Sequence, residues 1–406
     1  MHRKPGFWQA RWEVALFLLA LVARLGAAIT VGGGFHFPDE AAYVDAARRL
    51  STGGGFGLEY GRVPAYPVFL ALLSLGQPVS VTFLRVGQAA LAALGSVFVF
   101  RLADRMFGRR PAIVAGLVYA LDPLLVIASG LLYPEAVAAL LVPPVVLMAL
   151  HGSTRDSLAR SASAGALLGI LALLRPVALV LPPIVAGWIA LTVRALPGRR
   201  IAHVGALSLA CVLVLAPWSV RNLQVHGRLV PPATAGTGTA PVEQDEVQRR
   251  GLLPAMARWA WTDPGALFAR TARQFVQFWE LAPTRMATDN AAQREEFHRL
   301  DPRLTVEPFF SRELRDRVSA ISFALELGLA LVGIAVVART RWRQVLLPMA
   351  VILAYAAGYA LFVAKLRYRI PVLPLVFLFT GVGAAALYAF VRGASRGGGS
   401  TIGEPL

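Results

Sequence analysis

The sequence is poor in cysteine, in lysine and in charge of either sign. Its 406 residues include one cysteine, Cys211, which lies inside an apolar run, so neither an intramolecular disulfide nor a cysteine-based metal cluster can form. Charged residues make up 16% of the chain and apolar residues 56%, which excludes a disordered or fibrous protein. The net charge is +17, and of the 40 basic residues only Lys4 and Lys365 are lysines. The distribution of the apolar runs and of the arginines must therefore separate the remaining protein classes.

Apolar runs recur from one end of the chain to the other, which is the pattern of a polytopic membrane protein. The first run is longer than the apolar region of a signal peptide, so it is predicted to be a retained anchor. The predicted spans are 13–31, 79–100, 111–131, 133–150, 161–174, 177–193, 201–219, 318–338, 344–364 and 370–391. The fold class is therefore an all-α membrane bundle of about ten transmembrane helices.

The arginines alternate between the connections of these spans. Every second connection is basic: Arg3, Lys4 and Arg11; Arg101, Arg105, Arg109 and Arg110; Arg155 and Arg160; Arg194, Arg199 and Arg200; Arg339, Arg341 and Arg343; Arg392 and Arg396. The positive-inside rule places these connections and both termini in the cytoplasm. Topology thus accounts for most of the positive charge, and no nucleic-acid partner is needed to explain it.

This topology divides the chain into four parts. Residues 1–220 form an N-terminal transmembrane module whose first outer loop, 32–78, is the predicted catalytic segment. Residues 221–317 form an extracytoplasmic loop with an amphipathic helix around 268–279, because apolar residues recur there at helical spacing. Residues 318–391 are the C-terminal transmembrane helices, and 392–406 are predicted to be a disordered cytoplasmic tail.

A few basic residues lie on outward turns, which the positive-inside rule does not explain. They are Arg175, Lys365, Arg367 and Arg369. An anionic ligand at the membrane surface would account for them. Snorkelling to lipid phosphate, or pairing with an acid of a loop, is the alternative.

The first outer segment carries two adjacent acids close to the end of a span. In the string Phe37-Pro38-Asp39-Glu40, Pro38 fits a first helical position, and the helix dipole favours the acids in the first turn. Simple helix capping is therefore one explanation for them. A short apolar piece, 68–76, follows Arg62 and is too short to span, so two interfacial helices are predicted, with Arg62 between them and near Asp39.

Four stretches resemble the GT-C membrane glycosyltransferases that use polyprenyl-phosphate sugars, in particular the branch of the protein O-mannosyltransferases and the aminoarabinose transferases of lipid A. They are Phe37-Pro38-Asp39-Glu40 followed by Tyr43; Arg62-Val63-Pro64-Ala65-Tyr66-Pro67; Ala216-Pro217-Trp218-Ser219-Val220-Arg221-Asn222; and Lys365-Leu366-Arg367-Tyr368-Arg369-Ile370-Pro371. They occur in the expected order from end to end of the chain.

The resemblance implies a GT-C-like bundle and an acid of the first outer loop acting on the acceptor. That role falls to Asp39, with Glu40 as its neighbour. Donor phosphate would be held by Arg62, Lys365, Arg367 and Arg369, and the outward position of Arg175 adds it to the set. Tyr43, Tyr66 and Tyr368 of the matching stretches, and the intramembrane carboxylate Glu135, are further expected contacts.

The implied reaction is an inverting sugar transfer from a polyprenyl-phosphate donor to a hydroxyl of a lipid, glycan or protein, at the outer face of a bacterial inner membrane. A carboxylate base and a guanidinium clamp suit that chemistry. The lipid A branch has Glu-Lys-Pro-Pro where this chain has Gly61-Arg62-Val63-Pro64, which leaves the sugar and acceptor open. No cofactor is required and no metal site is predicted, although a divalent cation bridging an acid to phosphate is left open.

Two other function classes compete with this reading. A polysaccharide polymerase or ligase would use a diphosphate-linked donor, with arginines and a histidine of the outer loops as its main groups. A transporter of lipid-linked glycans would show paired repeats and interrupted helices near the bilayer midplane. The sequence shows no such repeat, and the charges that topology leaves unexplained gather at one face.

Overall fold

The computed structural model of the chain describes residues 7–57, 61–75, 77, 80–155, 157–193, 196–227, 252–282, 291–306 and 311–396. Throughout these ranges the secondary structure is helical apart from one isolated parallel β-bridge, between Phe35 and Leu304. The all-α fold class is therefore confirmed. The last helix continues to Arg396, and the rest of the tail predicted to be disordered lies outside the described residues.

Fifteen α-helices and two 3₁₀ segments make up the described part of the chain. In chain order they are α1 (Phe7–Val31), α2 (Pro38–Ser51), α3 (Ala65–Leu73), α4 (Val81–Phe107), α5 (Arg109–Leu121), α6 (Pro123–Gly130), α7 (Pro134–Arg155), α8 (Leu158–Leu174), a 3₁₀ segment (Pro176–Val180), α9 (Leu181–Thr192), α10 (Pro197–His226), α11 (Leu252–Thr262), α12 (Pro264–Phe278), α13 (Ala291–Leu300), α14 (Arg312–Ala360), a second 3₁₀ segment (Leu366–Val372) and α15 (Leu373–Arg396).

Six helical segments in the described ranges are long and apolar enough to cross a membrane, and a seventh span results if the bent pair α5–α6 is counted. The predicted spans 133–150, 161–174 and 177–193 correspond to shorter apolar helices, so the number ten stays a prediction. The predicted span 111–131 is broken by a bend of 46°. The break has a local cause, because Asp122 precedes a proline and its carboxylate accepts a hydrogen bond from Leu125 N at 2.7 Å, which starts a new helix.

The spans predicted at 318–338 and 344–364 are joined in α14, which runs through a kink at Arg341 (φ −141°, ψ 42°). Helix α14 packs closely on α15. At Gly333 and Gly383 an added Cβ would overlap backbone atoms of the facing helix. Small residues of this kind let two membrane helices approach each other closely.

Two helices, α2 and α3, occupy the segment between the first two long apolar helices, as predicted. Phe37 is extended and Pro38 takes the first helical position of α2. The loop after Ser51 turns through Gly53 and Gly55, whose φ angles of 80° and 60° favour glycine. Arg62, which lies between α2 and α3, contacts Asp39 in the first turn of α2.

Candidate active site

Asp39 lies in the first turn of α2 and meets side chains from two distant parts of the chain. Its Oδ1 accepts a hydrogen bond from Arg62 Nη1 at 2.8 Å, and its Oδ2 accepts one from Arg367 Nη2 at 3.3 Å. The hydroxyl of Tyr133 donates to Oδ2 at 3.4 Å. The Asp39 side chain is 32% exposed, so its carboxylate stays open to a ligand.

A second carboxylate, Glu135 at the start of α7, binds the other side of Arg367. Arg175 Nη2 donates to Glu135 Oε1, and Arg367 Nε lies 3.6 Å from the same oxygen. The Glu135 side chain is 2% exposed. We call Asp39, Arg62, Glu135, Arg175 and Arg367 the charge cluster; its three arginines against two carboxylates leave an excess of one positive charge.

Aromatic rings form the walls of the charge cluster. The guanidinium of Arg367 lies 4.5 Å from the ring centroid of Tyr133 and 5.4 Å from that of Tyr368, and Arg175 also lies 5.4 Å from Tyr368. Arg62 lies 5.3 Å from the ring of Tyr43. Ring faces stabilise these cations without neutralising them, so the cluster keeps its attraction for an anion.

Several polar atoms of the charge cluster are buried without a hydrogen-bond partner in the structure. They are Glu135 Oε2, Arg175 Nε and Arg367 Nε. Such atoms are rare in native proteins and call for an explanation. All three lie where Glu135, Arg175 and Arg367 meet.

Two part-exposed members of the charge cluster, Asp39 and Arg62, influence each other's protonation. Partial burial raises the pKa of Asp39, but Arg62 and then Arg367 outweigh it and hold that pKa below its usual range. Burial lowers the pKa of Arg62, but Asp39 outweighs it, and the pKa of Arg62 lies above its usual range. Asp39 is therefore a carboxylate, and Arg62 a cation, at neutral pH.

Glu40, the predicted catalytic neighbour of Asp39, is fully buried and bonded on both oxygens. Its Oε2 accepts from the backbone N of His36 at 2.7 Å and of Phe37 at 3.2 Å, which closes the start of α2. Its Oε1 accepts from Arg85 Nη2 at 3.0 Å and from Leu132 N at 2.9 Å. Glu40 therefore fixes the backbone under Asp39, and the geometry supports an anchoring role for it in place of the predicted catalytic one.

Replacing Glu40 by leucine should destabilise the protein by about 3–5 kcal/mol, because the buried charge of Arg85 loses its carboxylate and keeps only the hydrogen bond to the backbone oxygen of Gly32. Both side chains are 0% exposed. Unfolding of the detergent-solubilised protein measures the effect. The matched control is Glu313→Leu, since Glu313 and Arg317 form an exposed pair on α14 that is worth about 0.3–0.5 kcal/mol. Equal stabilities of the two variants would contradict the anchoring role of Glu40.

The other predicted phosphate ligands lie outside the charge cluster. Lys365 is exposed, and the described residues include no ionic partner for it. Arg369 is fully buried; it donates to the backbone oxygen of Glu280, and its guanidinium lies 3.5 Å from the ring centroid of Phe323. A direct contact of Arg369 with donor phosphate is therefore not supported, because its side chain enters the bundle.

Of the three tyrosines predicted to contact substrate, two border the charge cluster and one is buried away from it. Tyr368 borders the charge cluster, and Tyr43 supplies the ring beside Arg62. Tyr66 is fully buried and donates to Gln88 Oε1 at 2.6 Å, so it holds α3 against α4. A role in substrate contact stays a prediction for Tyr43 and Tyr368.

Three further residues, absent from the predicted set, lie around the site. Tyr133 bonds Asp39 and faces Arg367, while Arg85 and Gln88 hold α4 to the segments on either side. A signal for the last two was present: both are polar, three residues apart in an apolar helix, and hence on one face. Within the described part of the chain no three His, Cys, Asp or Glu residues are grouped for a metal ion, and the prediction on metal dependence is untested.

One family model matches the sequence. Residues 63–220 match the family described as dolichyl-phosphate-mannose-protein mannosyltransferase. The match covers less than half of the chain, begins one residue after Arg62, and includes Glu135 and Arg175. Comparison with curated protein sequences finds no match.

Solved structures share the fold. The archaeal oligosaccharyltransferase AglB from Archaeoglobus fulgidus, in complex with an inhibitory peptide and a dolichol-phosphate, is 14% identical with a TM-score of 0.55, covering 98% of this chain and 53% of that one. ArnT from Cupriavidus metallidurans, bound to undecaprenyl phosphate, is 18% identical with a TM-score of 0.55, covering 95% of this chain and 64% of that one. The Archaeoglobus fulgidus oligosaccharyltransferase in the apo form is 14% identical with a TM-score of 0.50, covering 98% and 54%.

The chain thus spans between about half and two thirds of the length of the structures that it matches. At these identities the likeness establishes the fold, while the family match adds sequence similarity over residues 63–220. The predicted resemblance is confirmed. The chain is a multi-pass membrane protein with the fold of the GT-C glycosyltransferases, similar to the protein mannosyltransferases over residues 63–220.

Proposed function

We propose that the protein transfers a sugar from a polyprenyl-phosphate donor to an acceptor hydroxyl, with inversion, at the outer face of the membrane. The observation that carries the proposal is the part-exposed carboxylate of Asp39 within hydrogen-bond distance of Arg62 and Arg367, in a cluster with excess positive charge. The AglB and ArnT structures, which share the fold, contain dolichol-phosphate and undecaprenyl phosphate. A lipid phosphate therefore suits this cluster as its anion.

The reaction is a single displacement at the anomeric carbon of the donor sugar. The acceptor oxygen bonds to that carbon while its proton passes to a carboxylate oxygen of Asp39. The bond from the anomeric carbon to the phosphate oxygen breaks, and its electron pair remains on polyprenyl phosphate. Arg62 and Arg367 stabilise the negative charge that develops there.

Asp39 and the donor phosphate would bind the same two arginines, Arg62 and Arg367, and this suggests how donor binding makes Asp39 a stronger base. Without ligand, Arg62 and Arg367 hold the pKa of Asp39 low, so it is ionised but a weak base. A bound phosphate takes hydrogen bonds from the same guanidinium groups. The carboxylate loses part of its stabilisation and its pKa rises, which makes it a better proton acceptor in the loaded enzyme.

The position of the cluster suits a lipid-linked substrate. Asp39 follows the end of α1 by a few residues, and Arg367 lies at the start of the last apolar helix. The donor's tail fixes its phosphate at the membrane surface. The positive-inside rule, applied to the arginines of the alternate connections, supports an outward position for this end of the bundle. The sugar and acceptor are left open within this proposal.

The direct test is donor cleavage by the purified protein. Radiolabelled decaprenyl- or undecaprenyl-phosphate sugars are incubated with it, and release of the lipid phosphate is followed. We expect release that depends on an acceptor hydroxyl. Release only from diphosphate-linked donors would instead favour a polymerase or ligase, and movement of intact donor across a vesicle membrane without release would favour a transporter.

A further inference from the structure

Helix α12 is bonded to the turn that carries Arg367. At the end of α14, Arg270 Nη1 donates to Leu361 O at 3.2 Å and Arg270 Nη2 donates to Phe362 O at 2.6 Å. The last carbonyls of a helix have no partner within it, and a cation there is favoured by the helix dipole. Arg270 therefore binds the chain just past the end of α14.

One helical turn further along α12, Gln274 holds the next part of the same turn. Its Oε1 accepts a hydrogen bond from Ala364 N at 2.7 Å. Past the end of α12, the backbone oxygen of Glu280 accepts from Arg369 Nη1. Three successive points of the segment from 270 to 280 thus bind three successive points of the turn from 361 to 369.

A column of aromatic rings makes the same connection. Phe278 of α12 stacks on Tyr359 with ring centroids 6.2 Å apart, and Tyr359 stacks on Tyr368 at 4.4 Å. The ring of Tyr368 lies beside the guanidinium of Arg367. The position of α12 is therefore transmitted to Arg367 through both backbone and side chains.

We propose that Arg270 and Gln274 are positioning residues that hold the 361–369 turn so that Arg367 meets Asp39 and the anionic headgroup of a lipid phosphate. The inference rests on the proposed function for the identity of that anion. Gln274 is the more informative of the two, because a neutral amide that accepts one backbone N–H contributes geometry and no net charge.

The test compares Gln274→Leu, which removes the acceptor oxygen, with Gln274→Glu, which keeps one, in the full-length protein in lipid nanodiscs. Gln277→Leu is the control, because the Gln277 side chain lies on the same helix and makes no bond to the turn in the structure. Two quantities are measured: hydrogen exchange of the peptide covering 361–369, and the Kd for undecaprenyl phosphate. A purely structural role of Gln274 would not change the Kd for undecaprenyl phosphate.

We expect Gln274→Leu to speed exchange at Ala364 and to weaken binding of undecaprenyl phosphate by about tenfold, the equivalent of one hydrogen bond. Gln274→Glu should keep exchange at Ala364 near that of the unaltered protein, and Gln277→Leu should match the unaltered protein in both exchange and Kd. Unchanged exchange in Gln274→Leu would overturn the anchor, and faster exchange with an unchanged Kd would overturn its effect on the anion. If the unaltered protein binds no undecaprenyl phosphate, the proposed effect of Gln274 on lipid-phosphate binding is overturned as well.

Failure of the proposed function is read separately in the same samples. An unaltered protein that binds undecaprenyl phosphate and releases none from any sugar donor overturns the transferase proposal alone. If Gln274→Leu then binds undecaprenyl phosphate more weakly than the unaltered protein does, the positioning role stands for a lipid-phosphate site without transfer.

Discussion

Asp39→Asn is expected to lower the rate of sugar transfer by about 10²–10⁴-fold, the usual contribution of a general base. Asparagine has nearly the same shape and keeps an acceptor oxygen for Arg62 or Arg367. It cannot take the proton of an acceptor hydroxyl. Because the variant also removes a negative charge that competes with phosphate for two arginines, binding of undecaprenyl phosphate should be retained or strengthened.

A loss of turnover with retained lipid binding is the result expected if Asp39 is the general base. Asp45→Asn is the matched control, since Asp45 lies on the same helix and its carboxylate pairs with Arg303 at 2.8 Å, away from the charge cluster. We expect it to leave transfer within a few-fold of the unaltered rate. Near-normal turnover of Asp39→Asn would rule out Asp39 as the base.

Arg367→Leu is expected to lower transfer by about 10²–10³-fold, the loss found when one donor to a developing oxyanion is removed. Arg367 bonds Asp39 at 3.3 Å, lies 3.6 Å from Glu135, and faces two rings. Unlike Asp39→Asn, this variant should also weaken binding of undecaprenyl phosphate. Arg367→Lys should recover only part of the loss, because an ammonium lacks the planar fork that reaches several partners at once.

Transfer rate and lipid affinity of these variants are measured against Arg48→Leu. Arg48 is an exposed arginine on α2 whose nearest acid is Asp45, at 4.0 Å. The Arg48→Leu substitution removes the same charge without changing the charge cluster, so it controls for general electrostatic attraction of the lipid. If Arg48→Leu and Arg367→Leu reduce the lipid affinity equally, the anion is held by overall charge and not by the cluster.

Much of this architecture could be predicted from local pattern. The run of apolar segments predicts a helical membrane bundle, and Pro38 with two acids marks the start of α2. Asp39 and Arg62 lie within the same connection, so their contact is a short-range one that the loop permits. Positive charge on an outward turn is unexpected and therefore points to Arg175 and Arg367, and both lie in the charge cluster.

The directions of individual side chains could not be predicted in the same way. Arg367 and Arg369 are both basic and two residues apart, but the turn between them is a 3₁₀ segment, in which side chains two positions apart point in different directions. One therefore meets Asp39 and the other enters the bundle. Asp39 and Glu40 differ for a similar reason, since adjacent helical residues point about 100° apart.

Contacts between distant parts of the chain were also outside local pattern. Glu40 acquires its role from Arg85, which lies within the apolar span predicted at 79–100. Phe35 forms a β-bridge with Leu304 although the two residues are far apart in the sequence. Next to this bridge, Arg303 donates a hydrogen bond to Asp45 at 2.8 Å. Nothing in either sequence segment specifies the other as its partner, because such contacts follow from the packing of the complete fold.

The position of lipid phosphate tests the central claim most directly. A cryo-electron microscopy structure of the protein in nanodiscs with undecaprenyl phosphate would show that position. We expect the phosphate within hydrogen-bond distance of Arg62 and Arg367, with the Asp39 carboxylate beside it and facing the place of an acceptor hydroxyl. A phosphate bound elsewhere, with Asp39 still paired to both arginines, would contradict the assignment of the charge cluster as the active site.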